Sequence, residues 1–275
     1  MLQKIYKNTY LIREEEMYNK QRSYLFISDV HFDSVHCDHT LLKQHLDEAL
    51  LKNAYIFIFG DFFDLMQGRF DPRSSKGDLN PKYKSNFYID DVLNDAVDFL
   101  TPYKHLLAFY SPGNHETAIM KRYEIDLVGR ICRDLEMCQG NYAGYIYQQI
   151  SANSYDSGHR YKNILGYHHG FGGSSPVTRG VIATNRTSLY LPDCSIVVSG
   201  HTHDRWIVPI TRFRVNEFGE KTDQQWHIKL GSYKGMDKDQ NGWETEKGFA
   251  PKAGAGIWYN FGMVGRELQY NLQFA

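Results

Sequence analysis

The chain has 275 residues and a formal net charge of -1, and its composition is ordinary apart from 20 Tyr, 16 Phe and 4 Trp. That length suits one large domain, residues 1–275, with a sizeable core. Near-neutrality excludes a global basic field for nucleic acid or anionic membrane, while a local basic groove stays open.

In chain order, the first twenty residues lack the apolar region of a signal peptide. SYLFISD (23–29) then reads as a buried strand ending in a polar corner, and TLLKQHLDEALLKN (40–53) as a helix with Thr40 as its cap. AYIFIFGD (54–61) repeats the strand, and DDVLNDAVDFLTPY (90–103) the helix. HLLAFYSPGN (105–114) is a third strand, followed by one long helix over ETAIMKRYEIDLVGRICRDL (116–135). NILGYHHG (163–170) and SIVVSGH (195–201) complete the set of strands ending in loops. Strand and helix in this rhythm predict an α/β protein. From residue 205 the pattern changes: 205–215, 224–233, 256–262 and 266–274 alternate apolar and polar residues, which predicts antiparallel strands and suggests a second sheet packed on the first. Two long irregular segments, 65–86 and 234–254, read as lids or substrate-contact loops.

No window approaches the ~18 apolar residues of a spanning helix. Cys37, Cys132, Cys138 and Cys194 show no CxxC or zinc-ribbon spacing. We therefore expect a soluble cytoplasmic protein with reduced thiols and no membrane partner; the sequence does not fix an oligomeric state.

The chemistry gathers where strands end. The corners carry Asp29-Val-His31, Gly60-Asp61-Phe-Phe-Asp64, Gly113-Asn114-His115-Glu116, His168-His169-Gly170 and Gly200-His201-Thr-His203. In open α/β sheets that edge is where ligands bind. Each block alone has a plain reading: DVH a polar turn, GDFFD a tight turn before a helix, GNHE a turn and cap, GHTH a structural pair. Together they supply imidazole, carboxylate and an amide carbonyl without thiolate, a donor set for manganese, iron, nickel or zinc. They are too many for one tetrahedral ion, whereas two ions sharing a carboxylate use them all. Two metals form a known clamp for displacement at phosphorus.

In this order the five blocks resemble the calcineurin-like metallophosphoesterase family, over residues 29 to 203. Its members include protein phosphatases, nucleases, cyclic-nucleotide phosphodiesterases and lipid pyrophosphatases. The resemblance implies a four-layer α/β/β/α sandwich of two mixed sheets flanked by helices. It implies that Asp29, His31 and His203 hold one divalent cation, that Asn114, His169 and His201 hold a second, and that Asp61 bridges them. Manganese is the first choice of metal. Water activated by the two cations attacks phosphorus, His115 serves the leaving group, and Asp64 orients His115. The implied partner is a phosphoester, with nucleic acid or a nucleotide among the candidates. GDFFDLM lacks the Arg that follows Asp in the phosphoprotein phosphatases, which counts against a phosphoprotein enzyme, while the basic aromatic loop and the single-domain layout suit a phosphodiesterase or nuclease better; a phosphomonoesterase acting on a small molecule or phosphoprotein is the alternative. A non-catalytic scaffold of the same fold is the alternative of another class, and loss of a ligand would favour it.

Other features carry less. DKDQNG (237–242) begins like a calcium loop, but Gly248 stands at the twelfth position, where Glu is needed. FGGSSPVTRG (171–180), with Arg179, reads equally as a phosphate contact or a connector. Arg69, Arg73, Lys76, Lys82 and Lys84, interleaved with Phe70 and Tyr83, suit a solvated loop or nucleic-acid contact. His36 and His39 are not read as ligands, while a place for His168 or His227 at the site stays open.

Overall fold

In the computed structural model of the chain, the described residues are 2–67, 71, 72, 74, 79–153, 160–173, 177, 178, 180–217, 219–235, 254–265 and 267–275. A first sheet is built on β3 (Gln21–Ile27), β4 (Tyr55–Phe59), β5 (Leu107–Ser111) and β6 (Cys138–Gln139), all parallel. The antiparallel strands β12 (Ile257–Val264) and β13 (Glu267–Phe274) extend it beyond β3. The second sheet contains β1 (Gln3–Tyr6), β2 (Thr9–Glu14), β7 (Ala143–Ser151), β8 (Arg160–His168), β9 (Ile196–Ser199), β10 (Trp206–Asn216) and β11 (Gly219–Lys229). Its order is β1-β2-β7-β8-β9-β11-β10, with parallel and antiparallel pairs mixed.

The strands of the first sheet are sorted by side-chain type. Successive residues of a strand face opposite sides. Tyr24 and Phe26, Phe57 and Phe59, Phe109, and Tyr259 and Phe261 turn toward the second sheet and form the core between the sheets. Leu25 and Ile27, Ile56 and Ile58, and Trp258 turn the other way, under the helices. The aromatic excess thus fills the inter-sheet layer, where Phe26 meets Phe57 and Phe59 edge-on at 5.6 and 5.5 Å. Such offset geometries are the favoured aromatic contacts.

Four helices cover the outer face of the first sheet. They are α1 (His39–Lys52), α2 (Tyr88–Leu100), α3 (Asn114–Tyr123) and α4 (Leu127–Asp134). In α1, Leu42, Leu46 and Ala49 make the buried stripe, and Asn53 ends the helix in the left-handed region, returning its N–H to Ala49 and Leu50. On the second sheet, α5 (Val181–Tyr190) joins the adjacent parallel strands β8 and β9. Such a crossover must lie over one face. The inner face is filled by the aromatic core, so α5 lies outside. The result is two mixed sheets face to face, flanked by helices, as the resemblance implies. No helix among the described residues is long and apolar enough to cross a membrane.

Several expectations change. Asp38, not Thr40, caps α1, accepting from Leu41 N at 2.9 Å. The expected single helix over 116–135 is two, because Glu124 turns left-handed (φ 58°) and Asp126 caps a new start by accepting from Gly129 N. Strands β1, β2, β6 and β7 were not anticipated. In the two long irregular segments, residues 68–70, 73, 75–78 and 236–253 lie outside the described residues, as do Arg179 and the calcium-like stretch 237–242.

Phe57 is fully buried between the sheets. Phe57→Ala should destabilise the protein by about 3–5 kcal/mol, read as a lowered denaturation midpoint with an unchanged slope.

Candidate metal centre

Strands β3, β4 and β5 of the first sheet, and β8 and β9 of the second, all deliver their corners to one edge. Strand alternation does not aim Asp29 and His31, because β3 has ended at Ile27. Both residues are left-handed, each with φ 51°, as are Asp61 (49°), His201 (74°) and His203 (59°). Non-glycine residues rarely adopt this conformation, and clusters of it mark functional sites. The corner is held by its neighbour: Asp29 N donates to Gly60 O, His31 N to Asp61 O and Phe32 N to Phe62 O, at 3.0, 3.2 and 2.8 Å. Close approach then demands glycine. A Cβ at Gly60 would collide with the His169 ring, and one at Gly113 with the Asp61 carboxylate.

Three groups of possible ligand atoms form here, each with its atoms within 4.8 Å of one another: Asp29, His31 and His203; Asp61, His169 and His201; and His31, Asp64 and His115. His31 Nε2 lies 3.2 Å from His203 Nε2, and His203 Nε2 lies 3.4 Å from Asp29 Oδ1. In the second group His169 Nε2 is 3.0 Å from Asp61 Oδ2 and 3.2 Å from the Asn114 carbonyl oxygen. His201 Nδ1 is 2.8 Å from that same Asn114 oxygen. All seven residues expected to hold cations therefore come together, with His115 beside them. His115 Nε2 lies 3.9 Å from Asp61 Oδ2, and its ring packs edge-on against His31.

These atoms fit divalent cations by their chemistry. Several buried acceptors face one another with too few protons to share. Their far sides are occupied: His169 Nδ1 donates to Phe59 O at 2.9 Å, and His31 Nδ1 lies 2.8 Å from Asp64 Oδ1. Such partners fix which imidazole nitrogen is offered inward. Burial brings the His31 imidazole down to about 4, against the opposing Asp64 hydrogen bond, so it is neutral at neutral pH. For Asp29, burial acts upward, but the His203 hydrogen bond and the His169 charge outweigh it and bring the carboxyl to about 2. Burial likewise pulls His169 down, but the Asp61 charge and hydrogen bond push it up to about 10.

Asp64 reaches two imidazoles. Its carboxylate takes His31 Nδ1 and Lys234 Nζ (3.1 Å), while its main-chain carbonyl takes His115 Nδ1 at 2.5 Å. Asp64 therefore orients His31 through its side chain and His115 through its backbone. Lys234 had not been singled out as a site residue, and nothing in its local sequence marks it. Two carboxylates within the motifs were also passed over. Asp33 accepts from the Asp64 and Leu65 amides at 2.7 and 3.0 Å, and from Tyr88 Oη at 2.6 Å. Glu116, 2% exposed, accepts from the amides of Asp61, Phe63 and Gly113 and from Tyr110 Oη. Their signal was available, as acidic residues embedded in aromatic corners. His227 lies on β11 with Nε2 2.9 Å from Gln225 Oε1, away from these groups, and His39 packs against Phe32 and Phe99.

No protein-family model matches this chain, and no curated protein matches it. Among solved structures it is similar to vacuolar protein sorting 29 from Cryptosporidium parvum, at 13% identity and TM-score 0.39 over 92% of this chain and 97% of that one. Zinc-complexed Vps29 from Entamoeba histolytica gives 12% and 0.36 over 92% and 98%. A metallophosphoesterase from Sphaerobacter thermophilus gives 14% and 0.35 over 92% and 89%. Likenesses at this level carry no conclusion about this chain, whose site stands on its own geometry.

Two outcomes test the centre. Glu116→Gln replaces one carboxylate oxygen by an amide NH2 that opposes two of the four existing donors; it should cost about 2–4 kcal/mol and lower cation uptake, read by denaturation and metal analysis. Because His169 is protonated below about 10, a cation must displace its proton. Manganese affinity should therefore rise with pH between 6 and 8, by up to about tenfold per unit; calorimetric titration showing no dependence, or the reverse, would refute this.

Proposed function

We propose that the chain is a cytoplasmic, dinuclear-metal-dependent phosphoesterase that hydrolyses a phosphodiester, of nuclease or nucleotide phosphodiesterase type. The observation that carries this reading is the double group of buried acceptors: Asp29, His31 and His203 beside Asp61, His169, His201 and Asn114. With His115 placed next to both, every role required for attack on phosphorus has a residue. No disulfide joins the four cysteines, which agrees with a reducing compartment.

Divalent cations at such a centre supply Lewis acidity, making water nucleophilic near neutral pH and offsetting phosphoryl charge. In this reading Asp29, His31 and His203 would hold one cation and Asn114, His169 and His201 the other, with the Asp61 carboxylate available to both. The protein's own proton chemistry belongs to His115. Its Nδ1–H donates to the Asp64 carbonyl, so it is the imidazolium form, with a second proton on Nε2, that gives the departing alkoxide its proton and is left as the neutral ring. Asp64 and Lys234 hold His31 from behind, and Asp33 fixes the Asp64 amide. The substrate is bound and turned by the surrounding loops rather than by these residues. No side-chain nucleophile is needed, and no covalent phosphoenzyme should form.

Three measurements decide. The manganese-loaded protein should hydrolyse bis(4-nitrophenyl) phosphate faster than 4-nitrophenyl phosphate; the opposite ranking would make it a monoesterase, and inactivity on both with several metals would leave a binding scaffold. His115→Ala should retain metal and lose about 100-fold or more in kcat. Asp61→Ala should lose both metal and activity, and full activity in either variant would remove these assignments.

A further inference from the structure

The outer face of the second sheet holds a second polar group, beside the centre and not used by it. Leu165 and Tyr167 of β8, Val198 of β9, and Ile228 with the following Leu230 all point into the aromatic core. By strand alternation His168, Ser199 and Lys229 face outward. They sit side by side at the strand ends, Lys229 opposite Ser199 and Tyr167 opposite Val198. His168 directly precedes His169, and Ser199 lies two residues before His201.

Lys229 is the unusual member. It is 7% exposed, and among the described residues no carboxylate reaches its ammonium within 4 Å. The fields acting on it come from Asp29 and Asp204 at longer range, after burial, which disfavours its charge. Lysine is almost never buried without a partner. Its Nζ is not among the fully buried polar atoms that lack a partner, which fits a covered stem with a head that is not fully sealed.

Aromatic rings stand next to His168, whose imidazole feels the Lys229 charge. The His168 ring is edge-on to Tyr142 at 5.2 Å and to Phe171 at 5.7 Å, and Tyr142 lies 5.7 Å from the His169 ring. Tyr142 Oη donates to Gly170 O and pins the turn that presents Phe171. Phe171 is 67% exposed. A Cβ added at Gly172 or Gly173 would meet nothing within 4 Å, so the space past the ring is open.

We propose that this flank is a nucleotide subsite, in which Phe171 stacks on a base and Lys229 pairs with the phosphate next to the one being cleaved. An exposed ring and an unpaired cation beside a phosphoesterase centre match the alternating base and phosphate of a single strand. A lipid diphosphate would want an aliphatic channel instead, and a phosphopeptide does not carry a second phosphate at a fixed offset from a flat ring. This deepens the phosphoesterase reading and rests on it for the identity of the cleaved bond.

The test uses the full manganese-loaded chain and three diesters: methyl 4-nitrophenyl phosphate, thymidine 5′-(4-nitrophenyl phosphate), and the latter bearing a 3′-phosphate. The native protein should show a lower KM for each successive member. Phe171→Ala should raise KM for the thymidine esters about tenfold more than for the methyl ester. Lys229→Met should selectively erase the gain from the 3′-phosphate, and removal of an unpaired buried charge should leave the fold at least as stable. Equal effects on all three substrates, or no preference in the native protein, would overturn the subsite while leaving the phosphoesterase reading intact. If nothing is hydrolysed, that reading fails, and calorimetric binding of thymidine 3′,5′-bisphosphate decides the subsite separately. It should bind, and about tenfold more weakly to each variant; absence of binding or equal affinities would overturn it.

Discussion

Two imidazole nitrogens of His31 and His203 meet at 3.2 Å, with the Asp29 carboxylate near the second. Such a meeting of acceptors is tolerable inside a protein only if a proton or a cation stands among them. The rest of the molecule is arranged around that requirement. Parallel strands bring the corners to one edge, left-handed residues bend them inward, and glycines at 60 and 113 let the chains touch. The packed aromatic layer beneath gives these strained corners a floor that does not yield.

Much of this was legible. In SYLFI and YIFIF, aromatic and aliphatic residues alternate, and that alternation sorts the two faces of the first sheet. The polar corners at strand ends were visible because carboxylate, amide and imidazole replace apolar residues abruptly. What was not legible depends on distant partners. Strand β2 pairs with β7 across more than a hundred residues, whereas β1 with β2 and β7 with β8 pair close along the chain. The break between α3 and α4 needs only Glu124 in the left-handed region, and no local rule marks that Glu over its neighbours. Thr40 and Asp38 are both good caps by type, and the chain's path decided between them.

The site shows the same division. Residue types foretold which side chains would gather, while backbone conformation determined how. Asp29 and His31 lie past the end of β3 and converge through paired positive φ values. Asp64 was expected to serve His115 with its carboxylate and serves it with its carbonyl. Lys234 enters from the segment that follows β11, more than a hundred residues from the Asp64 carboxylate it pairs with.

Glu116 has a consequence for how cations are received. One carboxylate gathers amides from the β4 corner and the start of α3, so both walls of the cage are joined by hydrogen bonds that involve no metal. Ordering of the cage is thus part of folding, and little of an arriving ion's binding free energy is spent on rearranging the protein. A cage set in advance selects its occupant by radius and preferred geometry, and it fills and empties without the chain having to refold.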